Sequence, residues 1–164
     1  NTISDFPSVD RLYEASCAGV DVDLIVRGSS CLVPGVPGLS DRIRVVSIVG
    51  RFLEHHRVYY FLNAGMEEVW LGSADLMRRN LDHRIETLFP VQNECHKRWF
   101  VDHFLPAFLR DNQKARVLRA DGTYARVRPA EGEEPFSAQA WFLSSLPGAI
   151  TAEAGRPKSS LRAG

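Results

Sequence analysis

The chain has 164 residues, 45% of them hydrophobic, with 20 basic and 20 acidic side chains and a formal charge of zero. That supply of apolar side chains suits one core and one domain, and the balanced charge excludes the global field that marks nucleic-acid or membrane-surface binders. The three cysteines, Cys17, Cys31 and Cys95, have no CxxC spacing, which argues against a disulfide framework or a structural zinc site and favours a reducing, cytoplasmic setting.

From Pro7 to Val20, the residues Val9, Leu12, Tyr13, Ala15 and Ala18 recur near a helical period and Gly19 supplies a stop, so a short amphipathic helix is expected. Asp23 to Val26 then reads as a buried strand that delivers Arg27 at its C-terminal end, the end where ligands sit in open α/β sheets. Residues 29–42 hold Pro34-Gly35, Pro37-Gly38 and several serines, which is the chemistry of a long, function-prone loop.

Three further strands are expected at Ile43–Val49, Val58–Leu62 and Val69–Leu71, with Ala64-Gly65 as the turn between the second and third, and another at Arg84–Val91. Phe100, Phe104 and Phe108 repeat at helical spacing from Asn93 to about Asn112, where Pro106 forces either a kink or two abutting helices. A hairpin about Asp121-Gly122 should join Ala115–Leu118 to Tyr124–Val127, and Ser137–Leu146 should form a last helix. The expected division is a domain over residues 1–148 and a disordered tail over 149–164, where apolar content falls away. No run approaches the roughly 18 to 20 apolar residues of a membrane span, and the first residues lack the order of a signal peptide.

Every basic residue between Arg27 and Arg84 other than histidine is arginine. A guanidinium stays charged and pairs two phosphate oxygens at once, whereas lysine offers a mobile point charge. The densest stretch is Gly50 to Val58, which brings His55 and His56 together with Glu54, Arg51 and Arg57. An imidazole can donate to a phosphoryl oxygen, move a proton or carry the group itself; the competing reading is a pair of packed or surface histidines.

His55-x-Arg57, a strand, and then Gly72-Ser73-Ala74-Asp75 resemble the half-site of the phospholipase D superfamily, with Arg in place of Lys and Asp in place of Asn. One branch is closer. Asp23-Leu-Ile-Val-Arg-Gly28, Cys31-Leu-x-Pro-Gly35-x-x-Gly38-x-Ser40, Ile43-x-Val-x-Ser-Ile-x-Gly-Arg-Phe-Leu-Glu-His-His-Arg57, Ser73-Ala-Asp75, Arg79-Asn-Leu81 and Arg84-Ile-Glu86 resemble the C-terminal half of the bacterial polyphosphate kinases. The resemblance runs from about Leu12 to Val91 and more faintly to Leu146, Asn1 to Ser8 fit the family poorly, and His56 stands where the family suggests Ser or Ala.

The resemblance implies an α/β domain of phospholipase D-like type, a mixed β-sheet flanked by helices. It implies reversible transfer of the terminal phosphoryl group of ATP to polyphosphate. Arg27 would contact the nucleotide phosphates, His55 would face the transferred group, and Glu86 would line the site and orient His55 or a basic partner. Arg51, Arg57 and Arg79 would be further phosphate ligands. No residue is expected to ligate a metal; Mg2+ would be held by the nucleotide and by a preceding half that also carries the phosphorylated histidine. The expected partners are ATP or ADP, polyphosphate, that preceding half and further copies in a homo-oligomer, with no nucleic acid. The complete enzyme would be cytoplasmic, with membrane association as an alternative, and this part alone nearly inactive. Two rivals stand beside this reading: a dimeric phosphodiesterase or nuclease of the superfamily, and a polyphosphate-binding remnant without chemistry.

Overall fold

The computed structural model of the chain describes residues 1–145, so the expected tail and the end of the last expected helix at Leu146 lie outside the described residues. Helix α1 (Phe6–Cys17) starts where Asp5 accepts a hydrogen bond from the backbone of Ser8 and has proline in its first turn; past its end, Gly19 takes a φ of +91°. These are ordinary helix start and stop signals. Strands β1 (Val22–Ile25) and β2 (Ile43–Ile48) pair in parallel. The hairpin β6 (Ala115–Leu118) and β7 (Tyr124–Arg126) adds antiparallel to the other side of β2, giving the mixed order β1-β2-β6-β7.

β2 is buried on both faces, as its nearly unbroken apolar run requires. Ile43 and Val45 face a cluster with Ile3, Val9 of α1, Leu32 and Leu118. Val46 and Ile48 point the other way, against Ala107, Phe108 and Ala138 of the later helices. Ile48 is 1% exposed, so Ile48→Val should lower the unfolding free energy by about 1 kcal/mol, read as a shifted urea midpoint with an unchanged slope.

The expected mixed sheet flanked by helices is thus present, and the remaining strands lie outside it. β3 (Val58–Phe61), β4 (Glu68–Gly72) and β5 (Leu88–Pro90) form a separate antiparallel sheet, because each pairs with its neighbour in sequence. Asn63, Ala64 and Gly65 all take positive φ in the β3–β4 turn. The expected strand from Arg84 contracts to Leu88–Pro90, and α2 (Arg78–His83), which the sequence reading left unassigned, precedes it. Residues 1–5 join the two sheets: Ile3 bridges to both Ser30 and Leu76, and Leu76 O accepts from the backbone of Ser4 and Asp5.

The phenylalanine-rich segment runs as α3 (Glu94–Trp99), a wider turn over Phe100–Phe104, and α4 (Leu105–Leu109). In the wide turn the amide of Leu105 donates back to Phe100 O. The turn lets the helix pass into Pro106, which has no N–H to give and sits in the first turn of α4. Loop 29–42 is pinned rather than open: Ser40 is fully buried and Tyr13 of α1 accepts from the amide of Val33. Helix α5 (Ala138–Ser145) closes the aromatic cluster, with Phe142 against Phe104 and Phe108.

Candidate functional site

Parallel pairing places the C-terminal ends of β1 and β2 at one edge. Arg27 follows the first and segment 49–57 follows the second. Arg27 donates from Nε to the backbone oxygen of Glu54 at 2.8 Å and from Nη2 to Oδ1 of Asn1. The same carboxamide donates from Nδ2 to Asp75 Oδ2 at 2.9 Å. Asp75 Oδ1 accepts from Arg57 Nε at 3.0 Å, and Arg57 Nη1 lies 2.8 Å from His55 Nδ1 and 2.9 Å from His55 O. One polar chain thus joins Arg27, Asn1, Asp75, Arg57 and His55.

The side chains of Arg57 and Asp75 are only 12% and 11% exposed. Burial works against the Asp75 charge, yet hydrogen bonds from Arg57 and Asn1 hold its carboxyl below the usual carboxylate range. Arg57 has donors only, so Nδ1 of His55 accepts, and in that pairing the neutral ring carries its proton on Nε2. His55 is exposed. The arrangement offers an outward N–H donor backed by a fixed cation.

His56 is exposed as well, with 40% of its side chain accessible, but it sets one face of its ring against the later helices. Its ring packs at 5.1 Å from Phe104 and 5.6 Å from Phe108, and Nε2 lies 2.8 Å from Glu54 Oε2. Together with Arg27, Glu54 and Phe108 it lines a cavity of about 70 Å³. Burial pushes the His56 pKa down, with Glu54 opposing. A base with a lowered folded pKa binds fewer protons folded than unfolded. Its contribution is therefore complete above about pH 6.5 and is lost as pH falls below that value. His56→Phe should flatten the loss of stability on acidification below pH 6.5, measured by urea unfolding across the pH series.

Glu86 lies apart from this chain of contacts. Its Oε2 accepts from Ser73 and its Oε1 accepts from Asn80 at 2.6 Å; these hydrogen bonds, Ser73 first, hold its carboxyl below the usual range. It therefore spends its oxygens on Ser73 and Asn80, not on His55, and borders a different, apolar hollow of about 350 Å³ beside Tyr59, Trp70 and Leu88. Arg79 is exposed on α2, and Arg51 is exposed with its guanidinium 5.4 Å from the centre of the Phe52 ring.

The sequence reading did not single out Asn1 as a site residue. Its opening position sits against Gly28, where a Cβ would come within 2.9 Å of Asn1 O; the glycine in Arg27-Gly28 is the available signal for that close approach. Among the described residues no group of three or more histidines, cysteines or carboxylates is arranged to hold a metal, and no helix is long and apolar enough to cross a membrane. The carboxylates near the site do not suit magnesium. Glu54 is engaged by His56 and Gln139, Asp75 by Arg57 and Asn1, and Glu86 by Ser73 and Asn80.

A family model described as polyphosphate kinase C-terminal domain 2 matches residues 1–139. The match takes in the opening residues that the motif resemblance left out, in keeping with the place of Asn1 between Arg27 and Asp75. Polyphosphate kinase of Pseudomonas aeruginosa strain PAO1 is 50% identical over 146 residues, covering 89% of this chain and 21% of that protein. Polyphosphate kinase of Prosthecochloris aestuarii is 52% identical over 151 residues, with the same two coverages of 89% and 21%. The crystal structure of polyphosphate kinase from Porphyromonas gingivalis matches with a TM-score of 0.81 at 44% identity, over 85% of this chain and 21% of that one. The chain spans about a fifth of the length of these relatives.

Proposed function

The chain belongs to the polyphosphate kinase family, and on that premise we propose that it supplies the nucleotide- and phosphate-binding part of an enzyme that reversibly transfers the terminal phosphoryl group of ATP to polyphosphate. The observation that carries this reading is the connected set Arg27, Asn1, Asp75, Arg57 and His55, which ties two guanidinium groups to one imidazole donor at the strand-end edge. Phosphoryl transfer asks little covalent chemistry of a protein and much charge neutralisation of the equatorial oxygens. Arg27 and Arg57 would meet the phosphates with fixed positive charge, with Arg51 and Arg79 as outer ligands. His55 would donate from Nε2 to an oxygen of the group in transit, and Glu86 would hold the Ser73 turn beside it.

The phospholipase D-like ancestry implied by His55-x-Arg57 and Gly72-Ser73 belongs to the same reading. The phosphorylated histidine would come from a preceding half of the same protein, and the assembled enzyme would be a cytoplasmic homo-oligomer. Magnesium would arrive on the nucleotide and be shared with that half, which agrees with carboxylates already engaged within this chain. The chain alone would bind but hardly turn over.

Calorimetric titration of the chain with magnesium-ATP, and separately with polyphosphate, tests the assignment. Saturable binding that disappears in both Arg27→Ala and His55→Ala supports it. Binding of equal strength in the parent and both variants overturns it.

A further inference from the structure

Helix α5 reaches the His55 segment through one side chain. Gln139 is 7% exposed, and its carboxamide is fully engaged. Nε2 donates to Phe52 O at 2.9 Å and to Glu54 Oε1 at 2.6 Å, while Oε1 accepts from Phe52 N at 3.2 Å. The helix is itself anchored. Asp111 Oδ2 accepts from the amide of Ala138 at 2.8 Å, and its other oxygen accepts from the amides of Gln113 and Lys114. Glu54, held by Gln139, is the residue whose backbone oxygen takes Arg27 Nε and whose carboxylate takes His56. A single carboxamide therefore fixes the stretch immediately before His55 and Arg57.

Gly50 records the same contact from the other side. It is not among the glycines with positive φ, so its backbone would accept alanine. A Cβ there would instead run into the Gln139 carboxamide, within 2.9 Å of Cδ and closer still to Oε1. The carboxamide cannot retreat without giving up its three hydrogen bonds. The glycine that opens the histidine segment is thus demanded by a residue 89 positions later rather than by its own backbone conformation.

We propose that Gln139 is a positioning residue for the phosphate site: a buried clamp on Phe52 and Glu54 that sets where His55 and Arg57 stand, with Gly50 as its obligate neighbour. Its part in catalysis rests on the function proposed above; the clamp itself does not.

The clamp is tested on this chain by hydrogen exchange at the Phe52 amide, whose acceptor is Gln139 Oε1. Gln139→Ala should speed that exchange about tenfold. Gly50→Ala should speed it similarly by expelling the carboxamide, and Gly50→Ala added to Gln139→Ala should change nothing further, because the Cβ then enters vacated space. Gln139→Glu separates clamping from space-filling. It is nearly isosteric and keeps an acceptor for the Phe52 amide, but it loses both donors and sets a second carboxylate against Glu54, so repulsion should drive the two segments apart and speed the exchange at least as much as Ala does.

In the full-length enzyme, Gln139→Ala should lower kcat about tenfold with a smaller change in KM, the mark of misplaced catalytic groups. Unchanged Phe52 exchange in Gln139→Ala, additive effects of the two substitutions, or a Gln139→Glu protein that behaves like the parent would each overturn the clamp. Altered exchange with unaltered kcat would overturn its positioning role. A parent enzyme without kinase activity would reject the proposed function, and the exchange results would still decide the clamp.

Discussion

His55→Ala in the complete enzyme should lower kcat/KM for phosphoryl transfer by about 10²–10³-fold, the usual cost of removing one preorganised donor from developing charge. The imidazole is exposed and its partner Arg57 keeps a second contact to the backbone oxygen of residue 55. The substitution should therefore leave folding nearly untouched, within about 0.5 kcal/mol as for other surface positions. That separation makes the result diagnostic. Steady-state rates with ATP and polyphosphate, measured beside a urea unfolding curve, should show a large kinetic loss on an intact fold; parent-like rates would remove His55 from the chemistry. His56→Phe is the internal control, since that ring is engaged with Phe104, Phe108 and Glu54 and should act on stability and its pH dependence.

Asp75→Ala should have the largest effect on stability, about 3–5 kcal/mol, the cost of leaving a largely buried cation without its partner. The removed carboxylate takes Arg57 on one oxygen and Asn1 on the other, so the loss also frees the tie between Arg27 and His55. Asp75→Asn keeps an acceptor for Arg57 and loses the charge, so it should cost less than alanine. The pH dependence follows from the lowered pKa of the carboxyl. A folded pKa below the unfolded one contributes stability that is fully present above about pH 3.9 and lost as pH falls through the folded value. The parent should lose that contribution in strong acid, and Asp75→Ala should not show the loss. Denaturant melts at neutral pH and below pH 4 measure both effects, and a neutral-pH midpoint equal to the parent's would show that the pair adds nothing.

Local chemistry made much of the fold legible. The β-branched residues of Ile43–Val49 read as a strand, and β2 covers Ile43–Ile48 of it. Asp121-Gly122 specified a hairpin, and Pro106 disturbed the helix where its missing N–H must be absorbed. Less legible were features whose partners are distant in sequence. The split into two sheets depends on which strands meet, and periodicity does not encode pairing. Helix α2 is too short for a convincing repeat.

The site divides in the same way. The quoted motifs were enough to single out Arg27, His55, Arg57 and Glu86 and to point to the family whose model matches the chain. Which partners each imidazole takes could not be read from His55-His56, because adjacent residues differ only in what the fold sets against them: Arg57 for one, Phe104, Phe108 and Glu54 for the other. Nor could Glu86 be assigned its partners, or Asn1 and Gln139 their roles, since their hydrogen bonds span up to 87 positions. The sequence by itself determined the family, most of the strands, the longer helices and which polar residue types were present; the tertiary structure decided which of those side chains touch. The physical reason is that a hydrogen bond depends on atoms meeting within about 3 Å, and for residues distant in the chain only the packed core sets that distance.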